Sequence, residues 1–357
     1  MGADDTTSDN SDNSDSAETR LSPAARLLWR GSRTVQLELG ADKLVVDGVS
    51  TADVRALLQP RPTTAQPDAP DEVAELASLR KNLGRRGFLW TASEGITPPH
   101  PYLSHELTAL AARHGRAAGR VLAARGQQSV VVQGKGRAGP LIAALLAAAG
   151  VGRVHVLDRC PTHLAQTIPG GAGVDDEGGP LSDAASAAIA RVAPRANTSA
   201  PAFGERPELV VLAIDQPIDS DIRAGLHARE CAHLVARLAP GGGAVGPLVL
   251  PGLTSCLACA DLHRRDRDPA WPALAVQLTV PPRQPVTSDV CTSATLAAVA
   301  AAQALSYLDG EQPPTLEGTL ELHPPDWRVR RRSWPAHPDC ECVRAHPAPG
   351  QFPGPAR

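Results

Sequence analysis

Strict alternation of apolar and polar residues marks the first predicted elements of the chain. Residues 34–39 read Thr-Val-Gln-Leu-Glu-Leu, and a polar break separates them from the apolar run 44–46. Alternation with a period of two on both sides of a turn is typical of a β-hairpin. Helical spacing follows over 54–58 and 73–83, and residues 87–90 predict a short closing strand.

The order of these elements predicts a small winged-helix-like module over residues 23–97. An extension that packs on the main domain is the alternative interpretation. Residues 1–22 form an acidic segment with few apolar side chains, which predicts a disordered tail. Prolines mark the next boundary, and residues 98–128 predict a linker with a helix.

From residue 129 to residue 345, short apolar runs alternate with helical patterns. The runs 129–132, 154–157 and 208–214 are typical of buried parallel strands, and helices are predicted over 140–149 and 181–192. This alternation predicts an α/β fold with a doubly wound parallel, Rossmann-like sheet. Later patterns predict a helix over 291–308 and two alternating strands over 319–323 and 327–333, before a flexible C-terminal tail over 346–357.

Composition narrows the class of protein. Glycine and proline supply 31 and 34 of the 357 residues, aromatic residues are only 3%, and the net charge is −3. The length favours two domains, and the near-neutral charge argues against a nucleic-acid or membrane surface. The apolar stretch 291–307 contains Thr, Ser and Gln, so we interpret it as a buried helix rather than a membrane span. No signal-peptide pattern is present, and we expect a cytoplasmic protein.

A glycine-rich segment lies between the first strand of this sheet and the helix that follows it. Gly134, Gly136 and Gly139 have the spacing of a dinucleotide-binding loop, and Asp158 follows the next strand. In such loops backbone N–H groups face a phosphate, and the acid accepts the ribose hydroxyls. We predict a nucleotide site here; a Rossmann scaffold that keeps its glycines for packing is the alternative. A Walker A loop is excluded, because no Gly-Lys-Ser/Thr has the required spacing.

Paired cysteines predict a metal site. One pair forms a CxxC and the other, far along the chain, a CxC; they are Cys256, Cys259, Cys340 and Cys342. Four thiolates from two distant loops are typical of a structural, tetrahedral zinc site. Two unrelated pairs, or one redox CxxC, are the alternatives, and His337 and His346 are fallback ligands. Of the single cysteines, Cys291 lies near a helix start, but we expect a packing role.

Several of these segments together resemble the ThiF/E1 superfamily of ubiquitin-like-protein activating enzymes. They are the glycine loop, Gly150-Val-Gly-Arg-Val-His-Val-Leu-Asp158, Leu209-Val-Val-Leu-Ala-Ile-Asp215 with Arg223, and the cysteine pairs. Residues 245–259 and 261–271 are most similar to the E1-like, leader-peptide-binding proteins of azole-forming (thiazole/oxazole-modified) peptide pathways. The resemblance covers roughly residues 25–345.

The resemblance implies binding of ATP·Mg²⁺ and adenylation of a C-terminal carboxylate. It implies phosphate and ribose contacts for the three loop glycines and Asp158, and a Mg²⁺-binding or catalytic role for Asp215. It also implies that residues 23–97 grip the leader of a precursor peptide, that the protein forms a homodimer, and that a cyclodehydratase-type enzyme is its partner.

The sequence departs from the family at the cationic positions. The second acid of the family's Asp-x-Asp is Cys160 here, the stretch that carries its phosphate-clamping Arg aligns with 163–166, and its Lys falls near Leu181. Cationic clamps stabilise the charge that develops in phosphoryl chemistry. Lys135, Arg137 or Arg159 are the possible substitutes.

Three functions follow, in decreasing order of support. The first is a peptide- or carrier-protein-binding scaffold with weakened or absent adenylation that serves a partner enzyme. The second is an active adenylyltransferase acting on a ubiquitin-like or sulfur-carrier protein. A nicotinamide oxidoreductase would share the glycine loop and Asp158 but has no use for the cysteine pairs.

Overall fold

The computed structural model describes residues 18–58, 61–62, 72–91, 97–134, 136–214, 218–239, 241–279 and 288–342. The chain divides into two compact units, Met1–Leu122 and Ala123–Arg357. The domain boundaries drawn from the sequence remain predictions. Residues 1–17 and 343–357, which include most of the acidic N-terminal segment and the C-terminal tail, lie outside the described residues.

The described residues of the first unit form two three-stranded sheets. Its strands are β1 (Glu18–Leu21), β2 (Arg26–Trp29), β3 (Thr34–Leu39), β4 (Asp42–Asp47), β5 (Arg61–Pro62) and β6 (Leu89–Thr91). Its helices are α1 (Thr51–Leu58), α2 (Glu72–Arg85), α3 (Ser104–His114) and α4 (Ala118–Arg125), which runs across the unit boundary. The sheet orders are β5-β1-β6 and β2-β3-β4.

The predicted hairpin and the predicted helix over 54–58 are confirmed in this unit. Strands β3 and β4 pair antiparallel with Leu37 opposite Leu44, which sends the alternating apolar side chains into one core. Ser50 and Asp53 form a reciprocal cap at α1: the Ser50 N–H donates to Asp53 Oδ2 at 2.6 Å, and the Asp53 N–H donates to Ser50 Oγ at 3.2 Å. The sequence pattern did not predict β1 or β2. The winged-helix character of the unit stays a prediction.

The second unit is built on one seven-stranded sheet. Its strands are β7 (Ser129–Gln133), β8 (Arg153–Val156), β9 (Leu209–Ile214), β10 (His233–Ala239), β11 (Gly242–Val249), β12 (Gly318–Leu322) and β13 (Arg330–Ser333). Its other helices are α5 (Ala138–Ala148), α6 (Leu181–Val192), α7 (Ser220–Ala228), α8 (Leu257–Arg267), α9 (Trp271–Thr279) and α10 (Val290–Leu308).

The predicted parallel sheet is confirmed in its main part, and three further strands that join antiparallel make the sheet mixed. The order is β13-β12-β11-β10-β9-β7-β8; the four strands from β10 to β8 are parallel, and β11, β12 and β13 join antiparallel. The four parallel strands match the predicted Rossmann-like sheet. The patterns missed β10 and β11 because Arg237 interrupts the first and Gly242, Gly243 and Gly246 leave the second without an apolar period.

Helix α10 is the one helix among the described residues with the length and composition to cross a membrane. Nine of its nineteen residues are buried, and it packs against α5, β10 and β11. These contacts fit the core helix of a folded domain, as the sequence interpretation has it.

A buried ion pair holds the ends of three helices of the second unit together. Arg125 Nε and one Nη donate to the two carboxylate oxygens of Asp309 at 2.7 and 2.8 Å, and the other Nη donates to the Ala149 carbonyl at 2.8 Å. Both side chains are almost completely buried. The pairing satisfies a charge that would otherwise be costly to bury.

Candidate metal centre and nucleotide loop

The four cysteines of the two sequence pairs meet in space and form what we call the cysteine cluster. Cys256 and Cys259 lie at the start of α8, and Cys340 and Cys342 come from the segment after β13. The four Sγ atoms all lie within 4.8 Å of one another. Neighbouring sulfurs are 3.6 Å apart for Cys256–Cys340 and 3.2 Å apart for Cys259–Cys342.

This geometry fits a tetrahedral metal ion. Metal–sulfur bonds of ~2.3 Å place the sulfurs of a tetrahedron about 3.8 Å apart, close to the spacing seen. Cys259 accepts hydrogen bonds from the Cys256 thiol and from the His337 N–H, which hold the pKa of Cys259 below its ordinary value. A thiol that loses its proton easily, and a backbone N–H that donates to its sulfur, are features of structural zinc sites. The cluster can therefore hold a metal ion such as zinc.

The side chain of His337, the fallback ligand, makes hydrogen bonds outside the cysteine cluster. Its Nε2 pairs with Asp266 Oδ2 at 2.7 Å, and its Nδ1 accepts the N–H of Asp339 at 3.1 Å. Both ring nitrogens therefore serve to position the loop that carries Cys340, rather than to bind a metal. The other fallback ligand, His346, lies outside the described residues.

The remaining cysteines are separate from the cluster. Cys291 is exposed, so the expectation of a packing role for this residue is wrong. Cys231 is buried, and burial raises the pKa of the Cys231 thiol. A raised pKa keeps the Cys231 thiol protonated, as expected for an unreactive thiol in the core.

The glycine loop (residues 134–139) packs its first glycine against the neighbouring strand β9. Gly134 has φ of +153°, and a Cβ built there would lie 1.7 Å from the Ala213 carbonyl oxygen. Gly139, the first-turn glycine of α5, would place a Cβ 3.3 Å from the Gly134 carbonyl oxygen. A Cβ at Gly136, in contrast, would meet only Leu238 at 3.9 Å. Packing thus requires the first glycine, leaves little room for a side chain at the third, and leaves room at the second.

The acid after the second strand is in the expected place. Asp158 follows β8, is buried, and accepts the N–H of Cys160 at 2.8 Å through Oδ1. Its backbone carbonyl accepts the N–H of Ser182 at the start of α6. Asp215 lies outside the described residues; it follows Ile214, the last residue of β9, directly in the sequence.

The three residues that could replace the family's missing cations differ in their surroundings. Arg137 donates to the Ala165 carbonyl at 2.7 Å and to the Ser288 carbonyl at 3.1 Å, so its guanidinium ties the glycine loop to two other segments. Arg159 is exposed, and Lys135 lies outside the described residues. Leu181, near the family's Lys position, is completely buried at the start of α6.

Sequence reasoning missed a cluster of arginines around two tryptophans in the second unit. The guanidinium carbon of Arg264 lies 5.2 Å from the Trp271 ring and 5.0 Å from the Trp334 ring. Arg267 and Arg332 also lie over Trp334, at 5.3 and 5.7 Å. The segments are more than sixty residues apart, so local patterns could not reveal their contact. The run Asp261–Trp271 was the available signal, because it carried the narrower resemblance.

Known proteins match this chain in structure. No protein-family model and no curated protein matches it. E. coli MccB solved with AMPCPP and MccA is 14% identical, with a TM-score of 0.66 over 91% of this chain and 99% of that one. The microcin C7 biosynthetic enzyme MccB in complex with N-formylated MccA is 13% identical, with a TM-score of 0.60 over 91% and 99%.

A second neighbour covers less of the chain. PaaA is 16% identical, with a TM-score of 0.55 over 72% of this chain and 92% of that one. At these identities the likeness establishes the fold. The chain therefore has the fold seen in MccB and PaaA.

Proposed function

We propose that this protein binds a peptide and takes part in its modification as a ThiF/E1-like protein. The observation that carries the proposal is the extent of the structural match. Residues 123–357 make up about two thirds of the chain, so a match over 91% of it must extend into the first unit. MccB, the neighbour matched over this length, is solved with MccA. We assign peptide binding to residues 23–97 and the ThiF/E1-like part to residues 129–345.

We further propose that adenylation is weak or absent and that the protein presents its peptide to a partner enzyme. The support lies in the charges near the glycine loop. Arg137 is bonded to the Ala165 and Ser288 carbonyls, and Leu181 is buried where the family carries a Lys. Fixed cations are the main means of stabilising charge at a transferred phosphoryl group. A cyclodehydratase of an azole-forming pathway is the partner we propose, with a cytoplasmic homodimer as the working form.

ATP–pyrophosphate exchange by the purified full-length protein tests this proposal. We expect exchange near background with the protein alone, and also with candidate precursor peptides encoded beside the gene. Fluorescence anisotropy of the labelled peptides provides the binding measurement. Robust exchange by the protein alone overturns the scaffold function, and absence of peptide binding overturns the peptide-binding function.

A second candidate is an active adenylyltransferase for a peptide or a ubiquitin-like carrier. The close packing of Gly134 on Ala213 and the burial of Asp158 favour it, because they keep the scaffold of a nucleotide site. MccB is also solved with ATP. This candidate requires tight ATP·Mg²⁺ binding that weakens sharply in Asp215→Ala, and failure to bind ATP removes it.

We also propose that the cysteine cluster holds a structural Zn²⁺. The four sulfur donors, two of them completely or nearly completely buried at the start of α8, leave no position for a substrate. Elemental analysis of the purified protein is expected to give one zinc per chain. A metal-free protein that folds normally contradicts the assignment.

A further inference from the structure

One side of helix α8 carries three polar side chains in a row. Cys259, His263 and Asp266 are four and three residues apart along the helix. At 3.6 residues per turn, residues with this spacing lie above one another on the same side of a helix. Cys259 belongs to the cysteine cluster, and the other two lie about one and two turns further along. We call these three residues the α8 stripe.

The segment that follows β13 contacts every member of the α8 stripe. The His263 Nε2–H donates to the Pro335 carbonyl at 2.9 Å, and the His337 N–H donates to Cys259 Sγ at 3.3 Å. The His337 ring lies 4.8 Å from the His263 ring, measured between centroids, and its Nε2 is 2.7 Å from Asp266 Oδ2. These contacts fix the segment on α8, and none of them requires a metal ion to form.

The two ring nitrogens of His337 have different roles. A backbone N–H can only donate, so the N–H of Asp339 makes His337 Nδ1, at 3.1 Å, the acceptor. Nε2 therefore carries the ring proton and donates it to Asp266. The His337 carbonyl accepts the N–H of Cys340 at 2.9 Å, which joins this residue to the first cysteine of the CxC. Because the ring is buried, removal of the acceptor at Asp266 would leave a costly buried donor.

The two halves of the cysteine cluster are held in different ways. The backbone of α8 itself places the two cysteines of the CxxC, whereas the CxC follows the last strand and has to be placed by contacts with α8. The Arg265–Asp339 ion pair, at 3.1 Å, is one such contact, but ion pairs at half-exposed positions contribute little. The buried ring of His337 and its hydrogen bond to Asp266 therefore carry most of this task.

We propose that Asp266 and His337 are positioning residues of the cysteine cluster, which hold Cys340 and Cys342 in place for the metal ion. The inference rests on the proposed structural Zn²⁺. Residues that orient metal ligands without binding the metal commonly change metal affinity by about 10–100-fold. Asp266 has this place in the cluster, because it bonds to the residue whose backbone contacts a cysteine of each pair.

The zinc affinity of the full-length protein tests the role of Asp266, measured by competition with a chelator of known affinity. Asp266→Ala is expected to bind zinc about 10–100-fold more weakly than the unaltered protein. Asp266→Asn should recover most of the affinity, because its amide oxygen can still accept the Nε2–H of His337. Asp268→Ala is the matched control. Asp268 is exposed and accepts the N–H of Ala270, so this variant should bind zinc as the unaltered protein does.

Titration with Co²⁺ separates a positioning role from damage to the fold. All four cysteines remain in these variants. At saturation, the charge-transfer band from thiolate to Co²⁺ should therefore have the same intensity as in the unaltered protein. A weaker band in Asp266→Ala and Asp266→Asn alike shows a damaged fold and overturns the proposal.

Two further results overturn the positioning role. They are equal zinc affinities of Asp266→Ala and Asp268→Ala, and a loss of affinity that Asp266→Asn does not recover. If the unaltered protein binds no zinc, the proposed structural site fails together with this inference. If the unaltered protein binds zinc and Asp266→Ala binds it equally well, only the positioning role is removed.

Discussion

The cysteine cluster and the glycine loop both join distant parts of the second unit, but their described side chains differ in what they offer a ligand. The cluster brings together four identical donors from two segments, all within 4.8 Å of one another. The loop keeps the glycine that packs on β9, and its one described cationic side chain, Arg137, donates to backbone carbonyls. A structural metal site needs only the right donors in contact, whereas phosphoryl chemistry also needs free, fixed charges. The fold can therefore retain the first without the second.

Removing one ligand of the cysteine cluster is expected to have the largest effect. Cys259→Ser loses a buried sulfur that touches Cys256 and Cys342 and accepts the His337 N–H. Metal binding contributes directly to folding, so we expect a loss of more than ~4 kcal/mol in the free energy of unfolding. Urea denaturation and zinc analysis measure it.

Cys291→Ser is the control for this variant, because Cys291 is exposed and outside the cluster. We expect it to change stability by less than ~0.5 kcal/mol. If Cys259→Ser is as stable as the control, and a chelator has no effect on either, the cluster is a group of packed thiols.

Gly134→Ala is expected to show that the packing of the glycine loop on β9 requires a glycine at this position. The new Cβ would lie 1.7 Å from the Ala213 carbonyl oxygen, at φ of +153°, so strand β9 must move. We expect a loss of about 3 kcal/mol or more. Gly178→Ala, with φ of +81° and open space around it, should lose only about 1 kcal/mol. Equal thermal stabilities of the two variants would contradict the packing argument.

The cysteine-cluster side of the sheet is also expected to be acid-sensitive through His233. Its ring is completely buried and its Nδ1 lies 2.9 Å from the Cys231 carbonyl; burial lowers its pKa from 6.5 to about 4. Between pH 6.5 and pH 4 the histidine is therefore protonated in the unfolded chain and neutral in the folded chain. Stability is complete above pH 6.5 and falls as pH drops toward 4, by about 3 kcal/mol at most.

Unfolding free energies of the unaltered protein and of His233→Gln between pH 4 and pH 7 measure this effect. The variant should show a flatter pH dependence. His105→Gln, which changes an exposed histidine, should keep the slope of the unaltered protein. If the unfolding free energy has the same pH dependence in the unaltered protein and in both variants, the acid sensitivity comes from other groups.

Much of the local structure could be predicted because short-range patterns carried it. The alternation over 34–39, the apolar strands β7 and β9, and α10 all follow from periods of two or from continuous apolar runs. The cysteine cluster could be predicted because two closely spaced pairs of thiols are typical of a metal centre. The structure brings these four residues together, as their spacing indicated.

What could not be predicted depends on contacts across long stretches of chain. Arg137 meets Ala165 and Ser288, which lie 28 and 151 residues away, so the hydrogen bonds of its guanidinium to these two carbonyls were not visible in the sequence. Strands β10 and β11 lack an apolar period because an arginine and several glycines interrupt them. Their antiparallel pairing arises only when the sheet is assembled.

Gly136→Ala is expected to change stability least, and it gives the clearest test of how the glycine loop differs from the cysteine cluster. A Cβ there meets only Leu238 at 3.9 Å, so we expect the free energy of unfolding to stay within ~0.5 kcal/mol of the unaltered protein. In loops of this type the second glycine lets the backbone approach a phosphate. If the loop binds ATP·Mg²⁺, titration with a fluorescent ATP analogue should show affinity about tenfold weaker in the variant.

Because stability is unchanged, such a loss of affinity could not come from unfolding, and it would assign the loop to a nucleotide even if pyrophosphate exchange stays low. Identical analogue affinities in the unaltered protein and Gly136→Ala would place the nucleotide elsewhere. The glycine loop would then resemble the cysteine cluster in serving the fold alone, with Gly134 and Gly139 kept for packing and Gly136 free to change.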